Sequence, residues 1–568
     1  MPQDDTRAAV TDWLAAWSET GRTLTALWTE AMPGLAALTP PALRANDAPP
    51  ADGEDWMAEQ TAWWGKAWSG WAEALTPATP TPDRRFADPR WDQPPFSLIR
   101  DGYLRGVAAL DAAIDTLPLD PLEKERARFA ATAWADAIAP TNHPLTNPTV
   151  LARTIETNGE NLRTGLAAMV SDLDGGQLTH VAPGAYEVGR NLAVTPGEVV
   201  HRTDLFELIQ YTPTTDEVLT TPLVIFPPWI NRFYILDLTA EKSFIRWAVE
   251  HGVTVFVCSW RSATDAMGAL TWDDYVGAQR EAIDVVRAGL DVPAAHTIGY
   301  CVAGTTLAAT LAVQAAEGEA DRVKSATFFT TQVDFELGGE LKHFVSDKAL
   351  ALIERMSAGG TLDGRVTAMT FNLLRGRDLI WGPIVKHWLM GEAHPEFDLL
   401  HWNGHTTNLP AAWHGSYLRD LYRDNRLVQP GSLSVDGTPI DLSRIQTPAY
   451  IQAGVEDHIA PAVSVWRMTH HLSGPIRFVL AGSGHIAGVV NPPAARKYGF
   501  RTLDGDLPEE FDRFVERATE TKGSWWPDWL AWLEARDGAR VAATGARVPG
   551  EGSLPAIEAA PGRYVREG

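Results

Sequence analysis

The most constraining feature of this chain is an apolar run that stops at a tight turn and restarts at once as a helix. It is His296-Thr-Ile-Gly-Tyr-Cys301-Val-Ala-Gly304. Residues up to Tyr300 read as a buried strand, and Val302 to Ala316 is rich in Ala, Thr and Leu, as a packed helix should be. A strand-to-helix turn this sharp leaves room only for small residues two before and two after its central residue. Gly299 meets the first requirement. Ala303 stands at the second, where the usual pattern has Gly, and Gly304 follows it. The residue at the apex is Cys301, lifted clear of the sheet as a nucleophile would be.

The surrounding grammar agrees with that turn. From about residue 200, short apolar runs alternate with helical segments: Asp204–Thr212, Pro222–Phe226, Val253–Trp260, His296–Tyr300, Val323–Thr331, Ala449–Gly454 and Ile476–Ala481. Helical patterns at Trp272–Leu290 and Val302–Ala316 fall between three of them. Uninterrupted apolar strands linked by helices imply a mostly parallel sheet covered on both faces. More than a hundred residues, about 336–445, then separate two consecutive strands. That is too long for a structureless loop and reads as an inserted cap. The expected fold is therefore α/β, an α/β-hydrolase catalytic core over 201–568 with a cap or lid inserted at about 336–445. A mainly helical domain over 86–200 precedes it, and residues 1–85 form a Trp-rich extension with Pro-rich linkers.

Nucleophile, acid and histidine are expected in that chain order. Asp457 lies just past the strand Ala449–Gly454, framed by Gly454 and Pro461, and His485 sits in a Gly-rich loop after Ile476–Ala481. Asp334 is the rival acid, and His458 is expected to point elsewhere. An oxyanion hole needs two backbone N–H groups. Val302 is the expected first donor, directly after the nucleophile. Trp229 is the second, because Pro227 and Pro228 have no N–H to give. Cys258, in mid-strand, reads as a small buried hydrophobe. A thiolate suits thioester exchange, so a Cys in this place favours acyl transfer from a thioester donor over hydrolysis.

The formal net charge of −24 argues against nucleic acid or an anionic membrane as the main partner. No apolar run is long enough for a membrane helix, no secretory signal is evident, and two cysteines fit a reducing cytoplasm. Tryptophan is enriched near the start, where Trp13/Trp17 and Trp64/Trp68/Trp71 keep helix-face spacing. These stripes fit either helix packing or an aromatic surface that adheres to something apolar.

Across most of its length the chain resembles the class I polyhydroxyalkanoate synthases. The resemblance is carried by Glu187–Val200, Pro227-Pro-Trp229 with Asn231–Asp237, Ser259-Trp-Arg261, Thr271–Tyr275 and Gly299-Tyr-Cys301. It continues in Asp398–Asn403 with Thr407–Pro410, Tyr417-Leu-Arg419, Glu456-Asp-His458, Gly484–Gly488 with Asn491-Pro-Pro493, Gly523–Trp529 and Ala560–Tyr564. The family's catalytic Cys, Asp and His match Cys301, Asp457 and His485. The resemblance implies an (R)-3-hydroxyacyl-CoA substrate, short-chain such as 3-hydroxybutyryl-CoA, release of CoA, and a polyester that grows on the cysteine. It also implies a homodimer at the surface of cytoplasmic polymer granules, with no metal or redox cofactor. Two other readings stand beside it. One is a cysteine-dependent acyl-CoA thioesterase or polyester depolymerase; the other is a non-catalytic granule-binding protein on the same scaffold.

Overall fold

A computed structural model describes residues 83–567. The Trp stripes of the first 82 residues and most of the expected N-terminal extension lie outside the described residues. Contact density divides the chain into two compact units.

Among the described residues before 180, the first unit holds the helices α1 (Phe96–Thr116), α2 (Pro121–Ala137), α3 (Pro148–Glu156) and α4 (Glu160–Gly175). Their starts are encoded locally. Asp120 accepts from the Glu123 N–H before α2, and Asn147 accepts from the Thr149 N–H before α3, each with Pro in the first turn. Residues 346–352 and 370–394, from within the long insertion, belong to this unit rather than to the core. They are fastened by polar contacts: Asn161 Nδ2 donates to the Leu389 carbonyl at 2.7 Å, Trp388 Nε1 to Asp172 at 2.9 Å, and Arg377 pairs with Asp136 at 2.8 Å.

The second unit is built on one mixed sheet of eleven strands. In chain order they are β1 (Gly197–Arg202), β2 (Phe206–Tyr211), β3 (Leu223–Phe226), β4 (Val255–Trp260), β5 (Ala295–Tyr300), β6 (Val323–Phe329), β7 (Ala449–Gly454), β8 (Ile476–Ala481), β9 (Gly499–Thr502), β10 (Thr519–Lys522) and β11 (Glu558–Ala559). Across the sheet they run β10-β9-β8-β7-β6-β5-β3-β4-β2-β1-β11. The six central strands, β8 to β4, are parallel, and the flanking strands are antiparallel. Strands β3, β4, β5 and β7 are buried along their whole length. That is why they read as unbroken apolar runs. Helices α5 (Trp272–Leu290) and α6 (Val302–Glu317) pack on the sheet between their strands, α5 started by a Thr271–Asp274 capping box. This is the expected α/β-hydrolase core, with the insertion leaving between β6 and β7.

Asp334 fixes the root of that insertion. Its carboxylate, 2% exposed, accepts from Arg467 Nε at 2.6 Å, Asn425 Nδ2 at 2.9 Å and the Glu336 N–H at 3.0 Å, with His471 Nε2 at 3.3 Å. Burial alone would raise its pKa; the bonds from His471, Glu336, Asn425 and Arg467 outweigh burial and hold it well below the usual carboxylate range. A carboxylate depressed in the folded state stabilises above its unfolded pKa of about 4 and loses that contribution as pH falls towards its folded value. Asp334→Asn should therefore cost about 2–3 kcal/mol at pH 7 in chemical denaturation. The deficit should shrink as pH is lowered below about 4.

Candidate active site

Cys301 stands between β5 and α6 with φ 54° and ψ −126°, a backbone conformation that L residues rarely adopt. Such a residue costs on the order of 1–3 kcal/mol and persists only where its surroundings enforce it. Here the enforcing contact is between two glycines. A Cβ on Gly299 would lie 2.4 Å from Gly304 Cα, and one on Gly304 would lie 2.0 Å from Thr331 Oγ1 and 2.9 Å from the Gly299 carbonyl. The small residue demanded after the apex of the turn is thus Gly304, not residue 303. Ala303 is fully buried in the core, and its carbonyl accepts from Gln279 Nε2 at 3.0 Å. The departure from the usual pattern leaves the turn as tight as the chemistry needs.

Two further bonds hold the apex. The Cys301 N–H donates to the Phe329 carbonyl at 2.9 Å, and Thr305, one turn into α6, donates to the Gln332 carbonyl at 2.8 Å. Cys301 is half-buried, whereas Cys258 is fully buried in β4, and burial pushes the Cys258 thiol well above its usual value. One thiol is presented and the other is inert.

Asp457 and His485 leave the C-terminal ends of the adjacent strands β7 and β8. His485 Nδ1 lies 2.7 Å from Asp457 Oδ2, and Asp457 Oδ1 accepts from the N–H groups of Ile459 and Ala460, both at 2.9 Å. The acid is oriented by its own turn and in turn orients the ring. Burial by itself would lower the His485 pKa. The charges of Asp457 and Cys301, with hydrogen bonds to both side chains, reverse that and raise it to about 10. The ring is thus an imidazolium at neutral pH, within hydrogen-bonding reach of Cys301. Asp334 is committed to the root of the insertion, so the rival acid is occupied elsewhere. His458 is partly exposed and is not the ring that Asp457 holds.

The histidine loop is supported from below and from the side. Trp525 and Trp526 donate their indole N–H groups to the carbonyls of Gly488 and Val489, at 2.7 and 2.9 Å. Tyr300, next to Cys301, donates to the His485 carbonyl at 3.0 Å. The motif Gly523–Trp529 is a buttress for this loop.

Val302 opens α6, where backbone N–H groups have no helical partner. Trp229 follows β3, whose Phe226 is the register partner of Gly299 on β5. The two expected oxyanion donors therefore leave the same edge of the sheet on neighbouring strands. The Trp229 ring is buried and stacked on Tyr275 with centroids 4.0 Å apart, and its carbonyl accepts from Thr407 Oγ1 at 2.6 Å.

Sequence reasoning missed one part of the site. Residues Tyr417–Arg423 form a π-helical turn. In an α-helix Tyr417 and Tyr422, five apart, would diverge by about 140°; the wider turn brings their rings to 5.4 Å. Gln332 Nε2 donates to the Tyr422 hydroxyl at 3.0 Å. Burial above all, with the charge of Cys301 adding, pushes both phenols well up, so both remain protonated donors. Among the described residues, no group of three or more His, Cys, Asp or Glu is arranged to hold a metal. The elbow geometry makes a direct prediction. Ala303→Gly should keep at least half of wild-type activity, whereas Gly304→Ala should reduce it by at least tenfold, measured as CoA release.

Comparison with known proteins places the chain in a family. Residues 82–248 match the profile described as "Poly-beta-hydroxybutyrate polymerase (PhaC) N-terminus", and residues 226–492 match the alpha/beta hydrolase fold. A poly(3-hydroxyalkanoate) polymerase of Methylorubrum extorquens is 44% identical over 496 residues, 86% of this chain and 81% of that protein. The polymerase subunit PhaC of Cupriavidus necator is 43% identical over 508 residues, covering 88% of this chain and 86% of its own. That of Rhizobium etli is 44% identical over 507 residues, 87% and 78% respectively. The chain belongs to the poly(3-hydroxyalkanoate) polymerase family, acyltransferases on an α/β-hydrolase core.

Proposed function

We propose that the chain polymerises (R)-3-hydroxyacyl-CoA, with short acyl chains such as 3-hydroxybutyryl-CoA, through a thioester on Cys301. The observation that carries this reading is the Asp457–His485 pair, closed at 2.7 Å, beside a cysteine at the apex of the strained turn. The Cys301 thiolate, held by the His485 imidazolium, attacks the thioester carbonyl. The N–H groups of Val302 and Trp229 receive the developing oxyanion. CoA leaves with the His485 proton, and the acyl group stays on Sγ. The hydroxyl of an incoming hydroxyacyl-CoA then attacks the acyl-Cys301 carbonyl and gives its proton to His485. An oxoester forms, Sγ leaves as thiolate, and the lengthened acyl-CoA re-acylates Cys301. Exchange between two sulfurs is nearly isoenergetic, whereas oxoester formation runs downhill, and this favours cysteine over serine in such a site.

The family resemblance supports a homodimer working at the surface of cytoplasmic polymer granules. Among the described residues, no helix is long and apolar enough to cross a membrane. Exposed apolar side chains on the helical unit, among them Trp134, Leu145, Ile155 and Leu166, support attachment to an apolar surface.

The reaction is tested by following CoA release from (R)-3-hydroxybutyryl-CoA while recovering the acyl product. The account expects insoluble polyester from the wild type and neither CoA nor polyester from Cys301→Ala. CoA with only free 3-hydroxybutyrate would make the protein a thioesterase. The pH dependence follows from His485. Its pKa is raised, so the proton that the departing CoA needs is retained at neutral pH and lost as pH rises through about 10. The alkaline limb of kcat/KM should therefore fall near pH 10. In Asp457→Asn that limb should move to lower pH and kcat should drop by at least a hundredfold.

A further inference from the structure

The loop that carries Trp229 runs directly into Arg232, whose side chain lies inside the protein, 2% exposed. Among the described residues no carboxylate bonds its guanidinium. Nη1 donates to the Tyr564 carbonyl at 3.0 Å, Nη2 donates to the Glu567 carbonyl, and Nε has no partner there. Burial lowers this guanidinium to about 10. A cation taken out of water for two carbonyls is expensive. Both carbonyls belong to one short segment, so the interaction fastens that segment to the loop.

The segment, Ala560–Glu567, is itself held in a fixed seat. The fully buried Glu207 carboxylate accepts from the N–H groups of Arg563 and Tyr564, both at 3.1 Å. Tyr564 Oη donates to the Thr203 carbonyl at 2.7 Å, and Arg261 meets Glu567 at 2.8 Å while lying 5.0 Å from the Tyr564 ring centroid. Gly562 has φ +76°, and a Cβ there would fall 2.4 Å from Glu207 Oε2. From the other side, Trp402 Nε1 donates to the Arg232 carbonyl at 2.7 Å, and Thr407 donates to that of Trp229. The loop backbone is thus gripped between residues of the insertion and the segment 560–567.

We propose that segment Ala560–Glu567 is a strap that, through Arg232, sets the Trp229 N–H at the oxyanion, which makes Arg232 a positioning residue for acyl transfer. This rests on Trp229 as the second oxyanion donor. The strap's hydrogen bonds and ion pair go to Arg232, Glu207, Thr203 and Arg261 rather than to Cys301, Asp457 or His485, so loosening it weakens transition-state stabilisation and leaves the Cys301–His485 pair in place.

The test uses the full chain with two separate variants. Arg232→Met keeps the side-chain stem and removes both bonds. Gly562→Ala acts from the far end by driving a Cβ into Glu207. Three rates are read: CoA release from 3-hydroxybutyryl-CoA, acylation by p-nitrophenyl acetate, and alkylation of Cys301 by iodoacetamide, which needs the thiolate but no oxyanion hole. Each variant should lower kcat and the ester acylation rate about tenfold to a hundredfold, no more than the loss on removing an oxyanion donor outright. KM should change by less than threefold and alkylation by less than twofold, and Arg232→Lys should recover part of the loss. Unchanged kcat in both variants, or alkylation falling in parallel with kcat, would overturn the proposal. A wild type that is acylated by the ester yet makes no polyester would sink the polymerase reading, while the strap would still be read from ester acylation.

Discussion

The close contact between Gly299 and Gly304 is the constraint on which the site depends. It lets α6 begin one residue after β5 ends, and this forces Cys301 into its rare backbone conformation. Three consequences follow from the same turn. The thiol is raised above the sheet, the first amides of α6 lie beside it, and the helix N-terminus adds a partial positive charge. Strain on the order of 1–3 kcal/mol is then sustained by the strands on either side, β3 fully buried and β6 buried except at Lys324. A central position in the sheet makes such strain tolerable, because the neighbours cannot yield.

The second determinant is electrostatic. The chain's two cysteines differ in environment rather than in chemistry. Cys258 is walled into β4, where burial keeps it a thiol. Cys301 faces an imidazolium that Asp457 keeps charged, against the penalty of burial. The acid does this only because its other oxygen is already satisfied by two backbone N–H groups, so it has one direction in which to act. The Trp525–Trp526 pair and Tyr300 hold the histidine loop at the carbonyls of Gly488, Val489 and His485. Residues far apart in sequence thus converge on a single ring.

Much of this was legible before the structure. The central strands are apolar along their whole length because both faces are covered, and this signal survives in sequence. The elbow, the acid and the histidine each followed a strand, and the structure sets Asp457 against His485, whose ring reaches Cys301. What was hidden depends on partners distant in the chain. The outer strands β9, β10 and β11 are short or polar; Thr519–Lys522 is exposed throughout and exists by pairing with β9. The split of the insertion between two units rests on contacts such as Asn161 with Leu389, 228 residues apart. Tyr417 and Tyr422 meet only because of a π-helical turn, which leaves no periodic signature. Small-residue spacing alone pointed to Ala303; only the approach of Gly299 shows that Gly304 is the residue that matters.

The central claim is that Cys301 carries the acyl chain. Its most direct test is rapid quenching of the enzyme with (R)-3-hydroxybutyryl-CoA, followed by intact mass measurement and peptide mapping. The account predicts added mass in whole hydroxyacyl units, confined to the peptide bearing Cys301 and released by neutral hydroxylamine as a thioester should be. Polyester forming with no adduct on that peptide, or with the adduct on another residue, would contradict it.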